Sequence, residues 1–84
     1  MNTDAATVEA WLAGRVMAYG KVDAASFTAD TPLAELGLDS VYALTLCGDI
    51  EDEFAIEVDP TIVWDYPTIR LLAGGITERL AEAA

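Results

Sequence analysis

The residues best suited to chemistry in this 84-residue chain are Asp39 and Ser40, which end the segment Leu36-Gly37-Leu38-Asp39-Ser40. A nucleophilic serine needs a base within hydrogen-bond reach of its hydroxyl and an oxyanion hole. The chain has no histidine to act as that base. Because neighbouring side chains on a helix point in different directions, the Asp39 carboxylate is badly placed to deprotonate Ser40. We therefore expect Ser40 to be modified by another enzyme, and the chain to have no catalytic activity of its own.

Composition limits the other kinds of chemistry. The absence of histidine removes the commonest metal ligand, and the single cysteine, Cys47, cannot form an internal disulfide. The chain has 15 acidic and 4 basic residues, with a formal net charge of −11. This charge makes nucleic acid and anionic membranes poor partners and favours basic proteins. No secretory signal and no run of roughly 20 apolar residues is visible. We expect a cytoplasmic monomer.

The element that must position Ser40 is an amphipathic helix. It is predicted to begin at Asp39 or Ser40, both good capping residues, and to end at about Phe54. At about 100° per residue, its buried face gathers five residues: Ala43, Leu46, Cys47, Ile50 and Phe54. Outside that face lies a small apolar patch beside polar and acidic residues: Val41, Leu44, Gly48, Thr45, Glu51 and Asp52. Cys47 is thus predicted to be a core residue and not a reactive thiol.

Before this helix, an apolar stripe predicts a first helix from about Asp4 to Tyr19, ended by Gly20. A long connection over residues 21–39 follows, and we expect Phe27 and Leu33 to anchor it to the core. Two further residues of this connection, Pro32 and Gly37, should interrupt any regular helix.

After the second helix, Asp59 and Pro60 predict the cap and first residue of a short helix through Trp64. The pair Tyr66-Pro67 separates it from a last helix, whose apolar stripe is Ile69, Leu72, Ile76 and Leu80. Gly74-Gly75 costs that helix roughly 1 kcal/mol per glycine relative to alanine, which predicts a bend, fraying or close packing against a neighbour. No alternation with a period of two predicts a strand. Residues 1–84 should therefore form a single all-α domain, a four-helix bundle with one short helix, with its function at the surface.

Three ordered blocks of this sequence resemble the acyl carrier proteins, the phosphopantetheine-binding carriers of polyketide and fatty-acid synthases. The blocks are Leu36-Gly37-Leu38-Asp39-Ser40, then Glu51-Asp52-Glu53-Phe54 followed by Ile56, and finally Trp64-Asp65-Tyr66-Pro67-Thr68-Ile69. The resemblance implies a 4'-phosphopantetheine arm attached covalently to Ser40, with a terminal thiol that carries acyl groups as thioesters. The arm's phosphodiester would be favoured at the positive end of a helix dipole.

The resemblance also implies roles for other residues. Next to Ser40, Asp39 would assist the transferase, Gly37 would allow close approach, and Leu38 would flank the attachment site. Partner enzymes would dock on the second helix, at Val41, Leu44, Thr45, Gly48, Glu51 and Asp52. Many family members have a glutamate where this chain has Thr45, and a methionine or arginine where it has Gly48, so we expect a dedicated pathway. Trp64 is a candidate for contact with the acyl chain, although large aromatic residues at helical spacing are more often part of the core.

The implied partners are a phosphopantetheinyl transferase and acyl-processing enzymes with basic docking patches, such as a ketosynthase, an acyltransferase or an acyl ligase. We predict a discrete acyl carrier protein that delivers acyl intermediates in polyketide or fatty-acid synthesis. The first alternative is a peptidyl carrier domain of a nonribosomal peptide pathway, although such domains usually have Gly-Gly-Asp/His-Ser at the attachment site. The second is a helical protein-interaction domain without a prosthetic group.

Overall fold

The computed structural model describes residues 4–19, 27–36 and 40–83, except for the side chains of Ser40 and Ala83. These residues form four α-helices in the order α1 (Ala5–Tyr19), α2 (Ser40–Phe54), α3 (Ile62–Asp65) and α4 (Ile69–Ala83). The described residues contain no β-strand, so the predicted four-helix bundle with one short helix is confirmed. None of the described helices has the length and apolar character needed to cross a membrane. Gly20, the predicted end of α1, lies outside the described residues.

The first helix is held by a cap and by the predicted apolar stripe. The Asp4 carboxylate accepts a hydrogen bond from the backbone N–H of Thr7 at 2.8 Å, as an N-cap residue does. Three residues at four-residue spacing are buried: Val8, Leu12 and Val16. The half-buried Trp11 meets Phe54 of α2 edge to face, with ring centroids 5.1 Å apart. These contacts place α1 against α2 in a common core.

The second helix has the predicted boundaries and the predicted buried face. All five expected residues are buried: Ala43, Leu46, Cys47, Ile50 and Phe54. The helix ends through Ala55, which has a φ of 56° and donates its N–H to the Glu51 carbonyl at 2.9 Å. The Glu51 carboxylate then accepts the N–H of Val58 at 3.0 Å. This residue therefore fastens the segment that follows α2.

The connection before α2 contains a short 3-10 helix, Leu33–Leu36, where the sequence predicts irregular structure. Pro32 does not interrupt this helix but precedes it, and its carbonyl accepts the N–H of Glu35 at 2.9 Å. Proline is tolerated there because the first turn of a helix needs no N–H from it. Leu33 and Leu36 are buried, and Phe27 packs against the core. The two predicted anchors, Phe27 and Leu33, are thus confirmed.

The connection is also fastened to the beginning of α4. The Leu33 N–H donates to the Pro67 carbonyl at 2.8 Å, and the Arg70 N–H donates to the Ala29 carbonyl at 2.9 Å. The Arg70 guanidinium binds both carboxylate oxygens of Asp30, at 2.8 and 3.1 Å. These contacts hold the chain that leads toward Ser40.

The short helix α3 begins at Ile62, two residues later than predicted. The Asp59 carboxylate accepts the N–H and the hydroxyl of Thr61, at 3.0 and 2.9 Å. Thr61 occupies the N-cap position, so Asp59 and Pro60 form the turn that precedes the helix. The prediction of Pro60 as the first helical residue was therefore wrong, because the side chain of Asp59 stabilises a turn instead of capping the helix.

The last helix runs without a break through its two glycines. Gly75 is buried, and a Cβ atom placed on it would lie 2.9 Å from the ring of Tyr66. Gly74 is exposed, and a Cβ atom there would meet nothing within 4 Å. Of the predicted alternatives, close packing applies, and it applies to Gly75 alone.

Candidate functional site

Ser40 is the first residue of α2, and described residues on both sides anchor its position. Leu36, four residues earlier, is buried at the end of the 3-10 helix, and Ala43 is buried in the first turn of α2. The residues between these anchors, Gly37, Leu38 and Asp39, lie outside the described residues, so their predicted roles stay predictions. The fold thus places Ser40 at a helix start between two points fixed in the core.

The described residues near this helix start fit a phosphodiester on Ser40. A helix N-terminus carries the positive end of the backbone dipole, which favours an attached phosphate. The first turn of α2 contains no acidic residue that would repel it. The phosphopantetheine arm would supply a flexible thiol for thioester chemistry, and the helix start would favour the charge at the root of the arm.

The outward face of α2 carries the predicted apolar patch. Val41 and Leu44 are 68% and 58% exposed. The Thr45 hydroxyl donates a hydrogen bond to the Val41 carbonyl of the same helix at 3.0 Å. The methyl group of Thr45 is therefore the part of its side chain left for contact with a partner. Gly48 is exposed and adds no side chain. We call these four residues (Val41, Leu44, Thr45 and Gly48) the α2 apolar face.

The acids beyond this face, Glu51 and Asp52, are both exposed but differ in their contacts. Glu51 is bound to the backbone N–H of Val58. Asp52 takes part in neither of the two ion pairs found in the described part of the chain. A substitution at Glu51 therefore changes both charge and local structure, whereas one at Asp52 changes charge alone.

A polar and aromatic network joins the other flank of α2 to α1, and it was not among the features predicted from the sequence. The Asp49 carboxylate accepts a hydrogen bond from the Tyr19 hydroxyl and lies 3.2 Å from Nη2 of Arg15. The Arg15 guanidinium lies 5.3 Å from the Tyr19 ring centre, and Tyr42 stacks on that ring at 6.0 Å. Burial and the Asp49 hydrogen bond raise the pKa of Tyr19, so its hydroxyl stays protonated as a donor. The four-residue spacing of Arg15 and Tyr19 was the available signal.

The remaining two candidates have opposite environments. Cys47 is buried, as predicted, and its thiol lies 3.8 Å from the Asp59 carbonyl. Burial, together with the charges of Glu51 and Asp59, raises the pKa of that thiol. Trp64 is 61% exposed and lies outside the core, so an acyl chain would meet its indole at the surface. That contact stays a prediction.

The sequence of this chain matches a known family and known proteins. The family described as a phosphopantetheine attachment site matches residues 10–76. The chain is 48% identical over 44 residues to 5-methyl-1-naphthoate synthase of Streptomyces sahachiroi, covering 52% of this chain and 2% of that protein. It is 33% identical over 66 residues to 6-methylsalicylic acid synthase of Aspergillus terreus, covering 79% of this chain and 4% of that protein. The chain therefore spans only a small fraction of these relatives.

Solved structures show the same fold. A free-standing peptidyl carrier protein from a secondary metabolic pathway of Acinetobacter baumannii superposes with a TM-score of 0.88 at 37% identity, covering 94% of this chain and 99% of that chain. The HMG-ACPI domain from the CurA module of Lyngbya majuscula superposes with a TM-score of 0.84 at 18% identity, covering 99% of this chain and 85% of that chain. The second likeness supports the fold alone.

Proposed function

Because this chain belongs to the phosphopantetheine attachment site family, a family of carrier proteins with a covalent 4'-phosphopantetheine, we propose that Ser40 holds that arm. The armed chain would hold acyl intermediates as thioesters and deliver them to the enzymes of a polyketide pathway, because a polyketide synthase subunit is named among its relatives. The observation that carries the proposal is the position of Ser40 as the first residue of α2, inside the matched residues.

The proposal extends to the partners and to the residues around Ser40. Carrier domains are typically non-catalytic, and we propose that this chain, as one domain over residues 1–84, has no catalytic activity of its own. A phosphopantetheinyl transferase would attach the arm with help from Asp39, while Gly37 and Leu38 would shape the approach. A ketosynthase, an acyltransferase or an acyl ligase would then use the armed chain. A cytoplasmic location remains a prediction.

Intact mass spectrometry tests the attachment. Incubation with a broad-specificity phosphopantetheinyl transferase and coenzyme A should add one phosphopantetheinyl mass to the chain. The only serines are Ser26 and Ser40, so Ser40→Ala should abolish the addition and Ser26→Ala should leave it unchanged. Addition to Ser40→Ala would refute the site, and no addition to the unmutated chain would refute the carrier function and favour an interaction domain without an arm.

We further propose that enzymes dock on the α2 apolar face. Val41 and Leu44 are exposed, so replacing both with aspartate should leave the fold intact and raise the KM for arm transfer. Leu71→Asp on α4, another exposed leucine, is the matched control and should leave the KM unchanged. Loss of helical circular dichroism in the double variant would show that Val41 and Leu44 support the core, which contradicts the proposal.

The charge at the end of this face should guide association. A chain with a net charge of −11 should meet basic partners faster at low salt, where the Debye length reaches about 30 Å at 0.01 M. Asp52→Lys should slow association and flatten its salt dependence more than Glu53→Lys, which alters the charge equally on the same helix. Glu51→Gln removes the charge of Glu51 but keeps an oxygen that can accept the Val58 N–H, so this variant tests the charge of Glu51 apart from that hydrogen bond. Equal effects of the Asp52 and Glu53 variants would argue against a docking role for the acids.

A peptidyl carrier is the second candidate, because the superposed Acinetobacter protein is one. The armed chain can be offered malonyl-coenzyme A with an acyltransferase, or an amino acid with ATP and an adenylating enzyme. A malonyl mass on the arm supports the acyl carrier. Exclusive acquisition of an aminoacyl mass supports the peptidyl carrier.

A further inference from the structure

Tyr42 follows Ser40 by two residues, and its ring joins the first turn of α2 to the last residue of α1. The ring stacks on that of Tyr19, with the ring centroids 6.0 Å apart and the ring planes 15° from parallel. In the same turn of α2, Val41 is 68% exposed, and Ala43 is buried but small. Tyr42 therefore supplies the large side chain by which this turn contacts another helix.

The ring of Tyr19 is itself held by other contacts. Its hydroxyl donates a hydrogen bond to the Asp49 carboxylate, which lies 3.2 Å from Nη2 of Arg15. The Arg15 guanidinium also lies 5.3 Å from the centre of the Tyr19 ring. Asp49 follows Tyr42 by seven residues, which is about two helical turns, so both meet Tyr19 from one side of α2. Tyr42 thus packs against a ring whose position the network fixes.

This stack lies where a helix opens most easily. The first N–H groups of a helix have no partner within the helix, and helix ends open at little cost in free energy. When the first turn of α2 opens, Ser40 leaves the helical backbone and the positive end of the helix dipole. A contact that keeps the turn closed therefore raises the fraction of molecules that present Ser40 at a helix start. An aromatic pair is such a contact, because it contributes beyond the area that it buries.

We propose that Tyr42 is a positioning residue for Ser40, which keeps the first turn of α2 closed for arm transfer by stacking on Tyr19. Tyr42 acts through the backbone of the helix and needs no contact of its own with the arm or the transferase. The effect on arm transfer rests on the proposed attachment at Ser40. The closed turn does not, since it can be measured in the chain without an arm.

Hydrogen exchange followed by NMR measures the turn in the chain without an arm. In a helix that begins at Ser40, the Leu44 N–H donates to the Ser40 carbonyl, so its exchange reports opening of the first turn. Tyr42→Leu should speed exchange at Leu44 about two- to tenfold, the factor by which an aromatic pair can shift an equilibrium. Exchange at Ile50, further along the helix, should be unchanged. Tyr42→Phe keeps the ring and should leave the exchange at Leu44 slow.

Arm transfer from coenzyme A by a phosphopantetheinyl transferase should change in parallel. Tyr42→Leu should lower kcat/KM about two- to tenfold, and Tyr42→Phe should retain it. Tyr19→Leu should act like Tyr42→Leu, and the double variant should be no slower than either, because the two rings form one contact. Tyr19→Phe is the matched control, since it loses the hydrogen bond to Asp49 and some stability but keeps the ring. Its kcat/KM should be unchanged.

Several outcomes would overturn the proposal. Unchanged exchange at Leu44 in Tyr42→Leu would show that the stack does not hold the turn. Additive losses in the double variant would mean that Tyr42 contacts the transferase directly. Slowing by Tyr42→Phe would assign the effect to the hydroxyl, and slowing by Tyr19→Phe would assign it to stability.

The test stays decisive if one variant misfolds or if the chain takes no arm. If Tyr42→Leu loses helical circular dichroism, Tyr19→Leu removes the same stack and replaces it in both measurements. If the unmutated chain accepts no arm, the attachment at Ser40 fails, while exchange at Leu44 still decides the role of Tyr42. The two proposals therefore fail separately.

Discussion

The two adjacent glycines of α4 provide a sharp test of the packing, because only one of them has a close neighbour. At Gly75 a Cβ atom would lie 2.9 Å from Cε2 and Cζ of Tyr66 and 3.1 Å from Cδ2. At Gly74 a Cβ atom would meet nothing within 4 Å. We therefore expect Gly74→Ala to raise the free energy of unfolding and Gly75→Ala to leave it unchanged or lower it.

The magnitudes follow from two opposing contributions. Replacing a helical glycine with alanine stabilises a helix by about 1 kcal/mol. Nothing opposes this gain at Gly74, so Gly74→Ala should raise the Tm by roughly 4–8 °C for a domain of this size. At Gly75 the new methyl group would lie well inside the preferred carbon separation of about 3.5–4.0 Å. Overpacking typically costs about 1–3 kcal/mol, so the net change for Gly75→Ala should lie between about zero and 2 kcal/mol of destabilisation.

Thermal and urea unfolding followed by far-UV circular dichroism measures both variants. A double-mutant cycle with Tyr66→Leu separates the ring contact from helix propensity. In the Tyr66→Leu background, Gly75→Ala should become as favourable as Gly74→Ala. The reasoning is refuted if Gly75→Ala already stabilises the unmutated chain as much as Gly74→Ala does, because the ring of Tyr66 would then not restrict that position.

Four further results are expected. Ala55→Gly should stabilise the chain by about 1 kcal/mol in urea unfolding, because a left-handed backbone at a helix end disfavours residues with a Cβ atom; a loss of stability would contradict this. Tyr19→Phe should cost about 0.5–1.5 kcal/mol, and Asp49→Asn should reduce that cost because the two side chains share a hydrogen bond. Burial raises the pKa of Cys47, so alkylation at mildly alkaline pH should be slow in the folded chain and fast in urea, and equal rates would contradict burial. Hydrogen bonds from the backbone N–H and the hydroxyl of Thr61 lower the pKa of the Asp59 carboxyl. The ionised carboxylate therefore stabilises the fold at neutral pH, and this stabilisation is lost as the pH falls below about 3.9. Asp59→Asn should therefore lower the Tm at neutral pH, and the variant and the unmutated chain should have the same Tm in acid.

The sequence was sufficient to predict α2, which carries the proposed attachment residue. Its boundaries and all five buried residues were predicted, because the spacing of apolar side chains determines which face of a helix is buried. The same reasoning placed Val41 and Leu44 on the outside. The type of bundle could be predicted for a similar reason, since three amphipathic stretches in a short chain must cover one another.

Other features depended on contacts between residues that are distant in the sequence. The hydrogen bond from Tyr19 to Asp49 joins residues on two helices, and the packing of Gly75 depends on where Tyr66 lies. The hydrogen bond from the Val58 N–H to the Glu51 carboxylate forms only because the chain turns back after α2. No local pattern encodes such pairs, because each forms only after the helices have packed.

Trp64 shows the same limit most clearly. Its block of sequence resembles a carrier family, and its size favours a core position, yet the structure leaves the indole 61% exposed. The pair Asp59 and Pro60 predicted that a short helix forms there, and in the structure Ile62 and Val63 are the buried residues of that helix. The angle at which a helix packs decides which of its side chains meet the core. A helix of four residues has too few positions for the periodicity of its apolar residues to specify that angle.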